Sequence, residues 1–193
     1  MRLRDVDEVL RWQDRLKLRA IHALTGFEPG PVVAANYRRE AFGKPFFACV
    51  NECLLEARHW TRGETELFAA FVSARAGCQF CFHSHTAVAV RHLAPEVVEA
   101  AIEDPETAPL DPRVRATLVF LEKLTLEPVE VVEEDVERAL AAGVSHEALA
   151  EAAYVLSVFS IINRIADAFD FTRPTDRSSP RVAWLLDRLG YPV

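Results

Sequence analysis

Four side chains able to do thiol or acid–base chemistry lie within eight residues: two of the four cysteines and two of the six histidines. The stretch reads Cys78-Gln79-Phe80-Cys81-Phe82-His83-Ser84-His85. We expect it to begin a helix, whose first turn carries unpaired N–H groups and a partial positive charge that stabilise a thiolate. The two-residue gap lets one sulfur form a disulfide with the other after oxidation. The spacing therefore favours a redox-active pair.

His85 follows Cys81 by four residues, on the same helix face one turn further along. It could take a proton from the thiol directly or through one water. A rival interpretation is structural zinc, with Cys78, Cys81 and either His83 or His85 as ligands, although no fourth ligand lies nearby in the sequence. A third is a pair of buried cysteines without chemistry.

A carboxylate on the helix before the two cysteines also contributes to the argument. Glu66 shares a helix face with small residues, at Ala70, Ser73 and Gly77. Because small side chains let a second helix approach closely, Glu66 is a candidate general base; the alternative is an ordinary solvated acid. A direct bond from Glu66 to His85 requires tilted helices, since the two lie about 16 Å and about 9 Å from the intervening turn. A bridging water or a neighbouring subunit is also possible.

Cys49 and Cys53 fall in a helical stripe and are predicted to be core residues. The stripe runs through Phe46, Cys49, Val50, Cys53, Leu54 and Ala57.

Helical periodicity dominates the chain, and proline and glycine fall where helices should begin or end. We expect an all-α, multi-helix single domain over residues 1–193, with no internal repeat. Thr61 with Glu64 forms a capping box, and Asp111 and Ser145 are predicted N-caps. Predicted helices span about residues 5–24, 31–43, 45–60, 61–77, 78–91, 95–102, 111–126, 131–142, 145–169 and 180–189.

The helix after Ser145 is apolar nearly all round and is predicted to be the buried central element. Polar residues at its far end, Asn163, Arg164 and Asp167, either meet solvent or form a polar cluster beside a site.

Composition restricts the class of protein. The 193 residues suit one domain, and 22 Lys plus Arg against 29 Asp plus Glu give a net charge of −7. This balance argues against a nucleic-acid or anionic-membrane surface. No apolar stretch follows the N-terminal charges, and the longest uncharged apolar run, residues 152–163, is too short to span a bilayer. We therefore expect a cytoplasmic protein with reduced thiols.

Glu66, Cys78, Cys81 and His85 match the spacing of the AhpD-like alkylhydroperoxidase branch of the carboxymuconolactone decarboxylase superfamily, and the chain resembles that family. The core motif covers about residues 61–93, and the overall resemblance about residues 46–171. Three flanking segments are also similar to the family: residues 73–78, 83–87 and 162–168.

The resemblance implies a hydroperoxide reductase without cofactor or metal. Cys81 would attack the peroxide, Cys78 would resolve the sulfenic acid as a disulfide, and His85 with Glu66 would relay the proton. It also implies an unidentified dithiol reductant and a homo-oligomer. Phe80 stands where the best-known members carry a second histidine. One alternative is a zinc-stabilised binding module. The other is lactone decarboxylation, and the CxxC argues against this second alternative.

Overall fold

The structure, a computed structural model, describes residues 10–27, 30–31, 34 and 39–191, and these contain helices and no strand. The all-α prediction is confirmed, whereas residues 5–9 of the first predicted helix and residues 32–33 and 35–38 of the second lie outside the described residues. The helices are α1 (Trp12–Thr25), α2 (Arg39–Phe42), α3 (Lys44–Leu55), α4 (Arg62–Arg75), α5 (Gln79–Ala89), α6 (Pro95–Glu103), α7 (Pro112–Leu126), α8 (Glu133–Ala141), α9 (His146–Phe169) and α10 (Ser179–Leu189), with a 3₁₀ turn at Pro128–Glu130.

The predicted helix starts are confirmed where a side chain caps the helix. The Thr61 hydroxyl accepts from the Glu64 amide, and the Glu64 carboxylate accepts from the Thr61 amide at 2.7 Å. The Asp111 carboxylate caps α7 by accepting from the amide of Arg113 at 2.8 Å. Ser145 caps α9 in the same way. Local chemistry therefore sets the starts of α4, α7 and α9.

The predicted end of the third helix, near residue 60, is wrong, because α3 ends at Leu55. The Glu151 carboxylate accepts from the amides of Arg58 and His59, which holds this segment outside the helix. Trp60 then turns into the core, where its indole donates to the carbonyl of Ala148 at 2.7 Å. A tertiary contact thus replaces one turn of helix.

The prediction that Cys49 lies in the core is wrong, because Cys49 is exposed and Cys53 is only half-buried. The buried face of α3 is narrower than the stripe and comprises Phe46, Phe47, Val50 and Leu54. Cys49 falls beside this face, on the solvent side. The helices that contact α3 are α2, α4 and α9.

The centre of the domain is α4 rather than α9, which corrects the prediction for the helix after Ser145. Residues Leu67 to Phe71 of α4 are all fully buried, and α4 contacts α5, α7 and α9. One face of α9 lies in the same core, but Tyr154 and Ile161 on its other face are exposed. By length and hydropathy α9 is the one helix in the described part of the chain that could cross a membrane.

We expect Leu118→Ala in α7 to lower the free energy of unfolding by about 2–5 kcal/mol, because the fully buried side chain leaves a cavity. Leu126→Ala, at the exposed end of the same helix, is the matched control and should cost less than about 1 kcal/mol. Urea unfolding of both variants measures the difference. Equal costs would contradict the placement of α7 against the core.

Candidate active site

A tight reversal between α4 and α5 places the two cysteines. Gly77 adopts φ +77°, a left-handed conformation that residues with a Cβ rarely adopt, and the Cys78 amide donates back to the carbonyl of Ser73 at 3.0 Å. Cys78 is the N-cap residue of α5, and Cys81 lies in the first turn of that helix. Both sulfurs therefore lie at the positive end of the helix dipole.

The two thiols form a buried, coupled pair without a disulfide. The hydrogen bond from the Cys81 thiol lowers the pKa of Cys78, against burial and the nearby Asp167 carboxylate. The same hydrogen bond, together with burial and the charge on Cys78, raises the pKa of Cys81 well above that of an ordinary thiol. The two thiols therefore titrate together, and a thiolate is favoured on Cys78 over Cys81.

Glu66 and His85 meet directly, with Glu66 Oε2 2.7 Å from His85 Nδ1 and both side chains buried. Helical rise puts Glu66 about 7 Å further from the intervening turn than His85, and the lengths of the two side chains together span this difference. Neither a water nor a second subunit is needed for the contact. A carboxylate on Nδ1 of a histidine makes that nitrogen the donor and leaves Nε2 able to accept a proton.

Two further partners of Glu66 were not predicted from the sequence. Arg62 Nη1 lies 2.8 Å from Glu66 Oε1, and the Tyr191 hydroxyl lies 2.7 Å from the same oxygen. Arg62 precedes Glu66 by four residues on α4, a spacing that could have revealed the ion pair. Tyr191 follows Glu66 by 125 residues, so no local pattern indicates it.

A cavity of about 100 Å³ lies beside Cys81 and His85, and Cys78 is absent from its lining. Phe80 forms part of its wall, stacked on Phe27 at a ring-centre distance of 6.1 Å and edge-on to Phe171 at 5.2 Å. The remaining walls are mostly apolar and include Phe46, Phe47, Val50, Phe159, Ile162 and Leu186. The residue that replaces the family's second histidine therefore adds apolar surface to the cavity.

The three polar residues at the end of α9 have different surroundings. Asn163 is buried, and its Oδ1 accepts from the Ser73 hydroxyl at 3.1 Å. Asp167 is exposed but hydrogen-bonds Cys78 and raises the pKa of that thiol. Arg164 is exposed and donates to the carbonyl of Ser160. Asp167 is thus the one of the three that contacts the thiol pair.

The two histidines considered as zinc ligands are hydrogen-bonded to other side chains. His85 bonds Glu66, and His83 Nε2 lies 3.2 Å from Arg173 Nη1. Burial and the Arg173 charge lower the pKa of His83. Across residues 10–27, 30–31, 34 and 39–191, no group of three His, Cys, Asp or Glu side chains is arranged to hold a metal ion. The geometry does not favour a zinc site there.

No protein-family model and no curated protein significantly matches the chain. Among solved structures, a peroxidase-related protein from Ralstonia eutropha JMP134 with an alkylhydroperoxidase AhpD core is 26% identical, with a TM-score of 0.73 over 89% of this chain and 90% of that one. A peroxidase-related protein from Silicibacter sp. TM1040 is 25% identical, with a TM-score of 0.74 over 90% of each chain. These likenesses give the chain the fold of AhpD-like, peroxidase-related proteins and support the AhpD-like superfamily.

The AhpD-like superfamily is also the one inferred from Glu66, Cys78, Cys81 and His85. The AhpD-like fold is also that of the debrominase Bmp8, which is 22% identical with a TM-score of 0.70 over 90% of this chain and 93% of that one. The fold therefore supports more than one chemistry. The roles of the four motif residues stay predictions.

We expect titration of this AhpD-like protein to show one thiolate forming below the pH range of an ordinary cysteine, because the Cys81 hydrogen bond lowers the pKa of Cys78. Thiolate absorbance in the ultraviolet measures it. Cys81→Ala removes the donor and should move this step to higher pH. Cys53→Ser should leave the step in place, since burial raises the pKa of Cys53 to about 11. A low-pH step that survives Cys78→Ser would contradict the assignment.

Proposed function

We propose that this protein is a cysteine-based reductase of small alkyl hydroperoxides. The observation that carries the proposal is the shared cavity of Cys81 and His85, with the far side of the histidine held by buried Glu66. A thiol, a base and an orienting carboxylate in sequence are the parts of an activated nucleophile. The proposal also draws on the peroxidase-related neighbours.

The first step oxidises Cys81. His85 Nε2 takes the thiol proton, and the Cys81 sulfur attacks the outer peroxide oxygen, forming an S–O bond as the O–O bond breaks. The leaving alkoxide receives a proton from His85 and departs as the alcohol. Cys81 is left as a sulfenic acid.

The second step forms the disulfide. The Cys78 thiolate attacks the Cys81 sulfur, the S–O bond breaks, and hydroxide leaves with a proton as water. The lowered pKa of Cys78 supports this role, because it keeps a thiolate ready beside Cys81. An external dithiol then reduces the disulfide and returns both thiols to their starting state. One hydroperoxide and one dithiol thus yield an alcohol, water and a disulfide.

The cavity favours a particular substrate class. Its walls are mostly apolar, and about 100 Å³ is far below the roughly 300–1,000 Å³ of ordinary ligand pockets. Ser84 lines it with a buried hydroxyl that has no hydrogen-bond partner among the described residues. A small hydroperoxide could place its polar end on Ser84 and its alkyl end on the phenylalanines.

The proposal has three further parts. Two of them follow from the resemblance, a dithiol reductant of unknown identity and a homo-oligomeric state. The third, a cytoplasmic location where thiols stay reduced, is proposed from the sequence and not from the family. Light scattering of the purified protein tests the oligomeric state directly.

The experiment that tests the function is peptide mapping after oxidation. Reduced, metal-free protein receives one equivalent of tert-butyl hydroperoxide and is quenched with a thiol-blocking reagent. We expect a Cys78–Cys81 disulfide, with Cys49 and Cys53 blocked as free thiols. If all four cysteines are blocked instead, the peroxidase proposal is wrong, and bound zinc in the untreated protein would then support the structural-site alternative.

A further inference from the structure

The segment after α10 makes a turn that only glycine allows easily. Gly190 has φ +72° and ψ −155°, and a Cβ there would lie 2.9 Å from both Asn51 Oδ1 and Leu55 Cδ1 of α3. A side chain at this position would meet both strain and a clash. The chain therefore passes close against α3 before it reaches Tyr191.

Asn51 then fixes the backbone of Tyr191 at two points. Its Oδ1 accepts from the Tyr191 amide at 2.8 Å, and its Nδ2 donates to the Tyr191 carbonyl at 3.2 Å. This pair of hydrogen bonds sets the direction of the Tyr191 side chain, which is buried and lines the cavity. The C-terminal segment is thus docked so that one phenol enters the site.

The Tyr191 hydroxyl has a single hydrogen and three polar neighbours, of which the Arg62 guanidinium can only donate, whereas the Glu66 carboxylate and His85 Nδ1 can accept. It donates to Glu66 Oε1 at 2.7 Å and lies 3.2 Å from His85 Nδ1. Because its hydrogen is used on the carboxylate, it offers Nδ1 only a lone pair. Glu66 Oε2 likewise offers Nδ1 an acceptor. Glu66 Oε2 and the Tyr191 hydroxyl oxygen therefore both act as acceptors toward His85, which requires the hydrogen of the imidazole to be on Nδ1.

The surroundings keep this arrangement in place. Burial and the Glu66 charge raise the pKa of Tyr191 well above its usual value, so the phenol keeps its hydrogen. The Tyr191 ring stacks on the His85 ring, and Phe159 meets the His85 ring edge-on at 4.6 Å. Arg62 pairs with Glu66, hydrogen-bonds the Tyr191 side chain and lies over the Tyr191 ring at 5.5 Å.

We propose that Tyr191 is a positioning residue that, with Glu66, fixes His85 in the tautomer whose Nε2 is free to accept the Cys81 proton. Its effect on peroxide reduction rests on the proposed function, whereas its effect on the tautomer does not. The residue acts through His85 and touches neither sulfur in the proposed cycle.

The test uses Tyr191→Phe, which removes the hydroxyl and keeps the ring. Nitrogen-15 NMR of the histidine rings reads the tautomer, and stopped-flow oxidation by tert-butyl hydroperoxide reads the rate. We expect the fraction of His85 in the Nδ1–H tautomer to fall, because Glu66 alone then holds Nδ1, and the second-order rate constant to fall about tenfold, as for other residues that orient a reactive group. Tyr154→Phe, at an exposed tyrosine, is the matched control and should change neither readout.

Asn51→Ala provides a second variant that keeps the phenol but releases its backbone. It should change the tautomer signature in the same direction as Tyr191→Phe. If both variants retain the wild-type His85 signals, the inference about Tyr191 is overturned. If the wild-type protein shows the Nδ1–H tautomer but no peroxide oxidation, the proposed function fails and the positioning inference stands.

Discussion

Cys81→Ser is expected to abolish reduction of tert-butyl hydroperoxide, with a loss of at least about a thousandfold in rate. Serine cannot supply a thiolate, so no S–O bond forms and no sulfenic acid appears. Cys78→Ser should behave differently, because Cys81 still reacts once but its sulfenic acid has no resolving thiol. Alcohol release and trapping of the sulfenic acid by dimedone, followed by peptide mapping, measure the two outcomes.

Cys49→Ser is the matched control for this pair, since Cys49 is exposed and lies outside the cavity lining. It should retain wild-type turnover. The assignment of Cys81 as the attacking thiol rests on the cavity, whose lining includes Cys81. The order of the pKa values points the other way, because it favours a thiolate on Cys78. A dimedone adduct on Cys78 in the Cys81→Ser protein would reverse the two roles while preserving the peroxidase chemistry.

Glu66→Gln is expected to lower the oxidation rate about a hundredfold, a typical share for general acid–base catalysis. Glutamine can still accept from His85 Nδ1, but it cannot offset the positive charge that His85 gains with the Cys81 proton. The same change leaves Arg62 without its counter-charge in a largely buried place, and should lower the free energy of unfolding by about 3 kcal/mol. Stopped-flow oxidation and urea unfolding measure the two effects.

The double variant Arg62→Met with Glu66→Gln separates the two effects. It removes both charges together, so much of the stability should return while the rate stays low. Recovery of the rate along with the stability would show that Glu66 acts only through folding. The proton-relay role would then be wrong.

Helix starts could be predicted because the groups that fix them lie close together in sequence. Thr61 with Glu64, Asp111 and Ser145 each satisfy amides within three residues of themselves. The spacing of Cys78, Cys81 and His85 is likewise a one-helix property, and together with Glu66 it indicated the AhpD-like fold that the solved structures support. The end of α3 could not be read in this way, because it depends on Glu151 and on the burial of Trp60.

The site itself needed the tertiary structure. The sequence placed Glu66 and His85 on consecutive helices but left their contact open, since the packing of α4 on α5 decides it. Tyr191 reaches the same carboxylate from the C-terminal segment, through a turn at Gly190 and a clamp at Asn51. The exposed position of Cys49 also depends on which side of α3 meets the core.

The enclosure of Cys78 and Cys81, each at most 1% exposed, has a consequence for which reagents reach the two thiols. Surface thiols react with reagents of any size. Cys81 lines a cavity of about 100 Å³, so a reagent that reaches its sulfur through this cavity must be small. Under the proposed cycle, the thiol pair therefore discriminates by size, and a small hydroperoxide oxidises it faster than a bulky oxidant does.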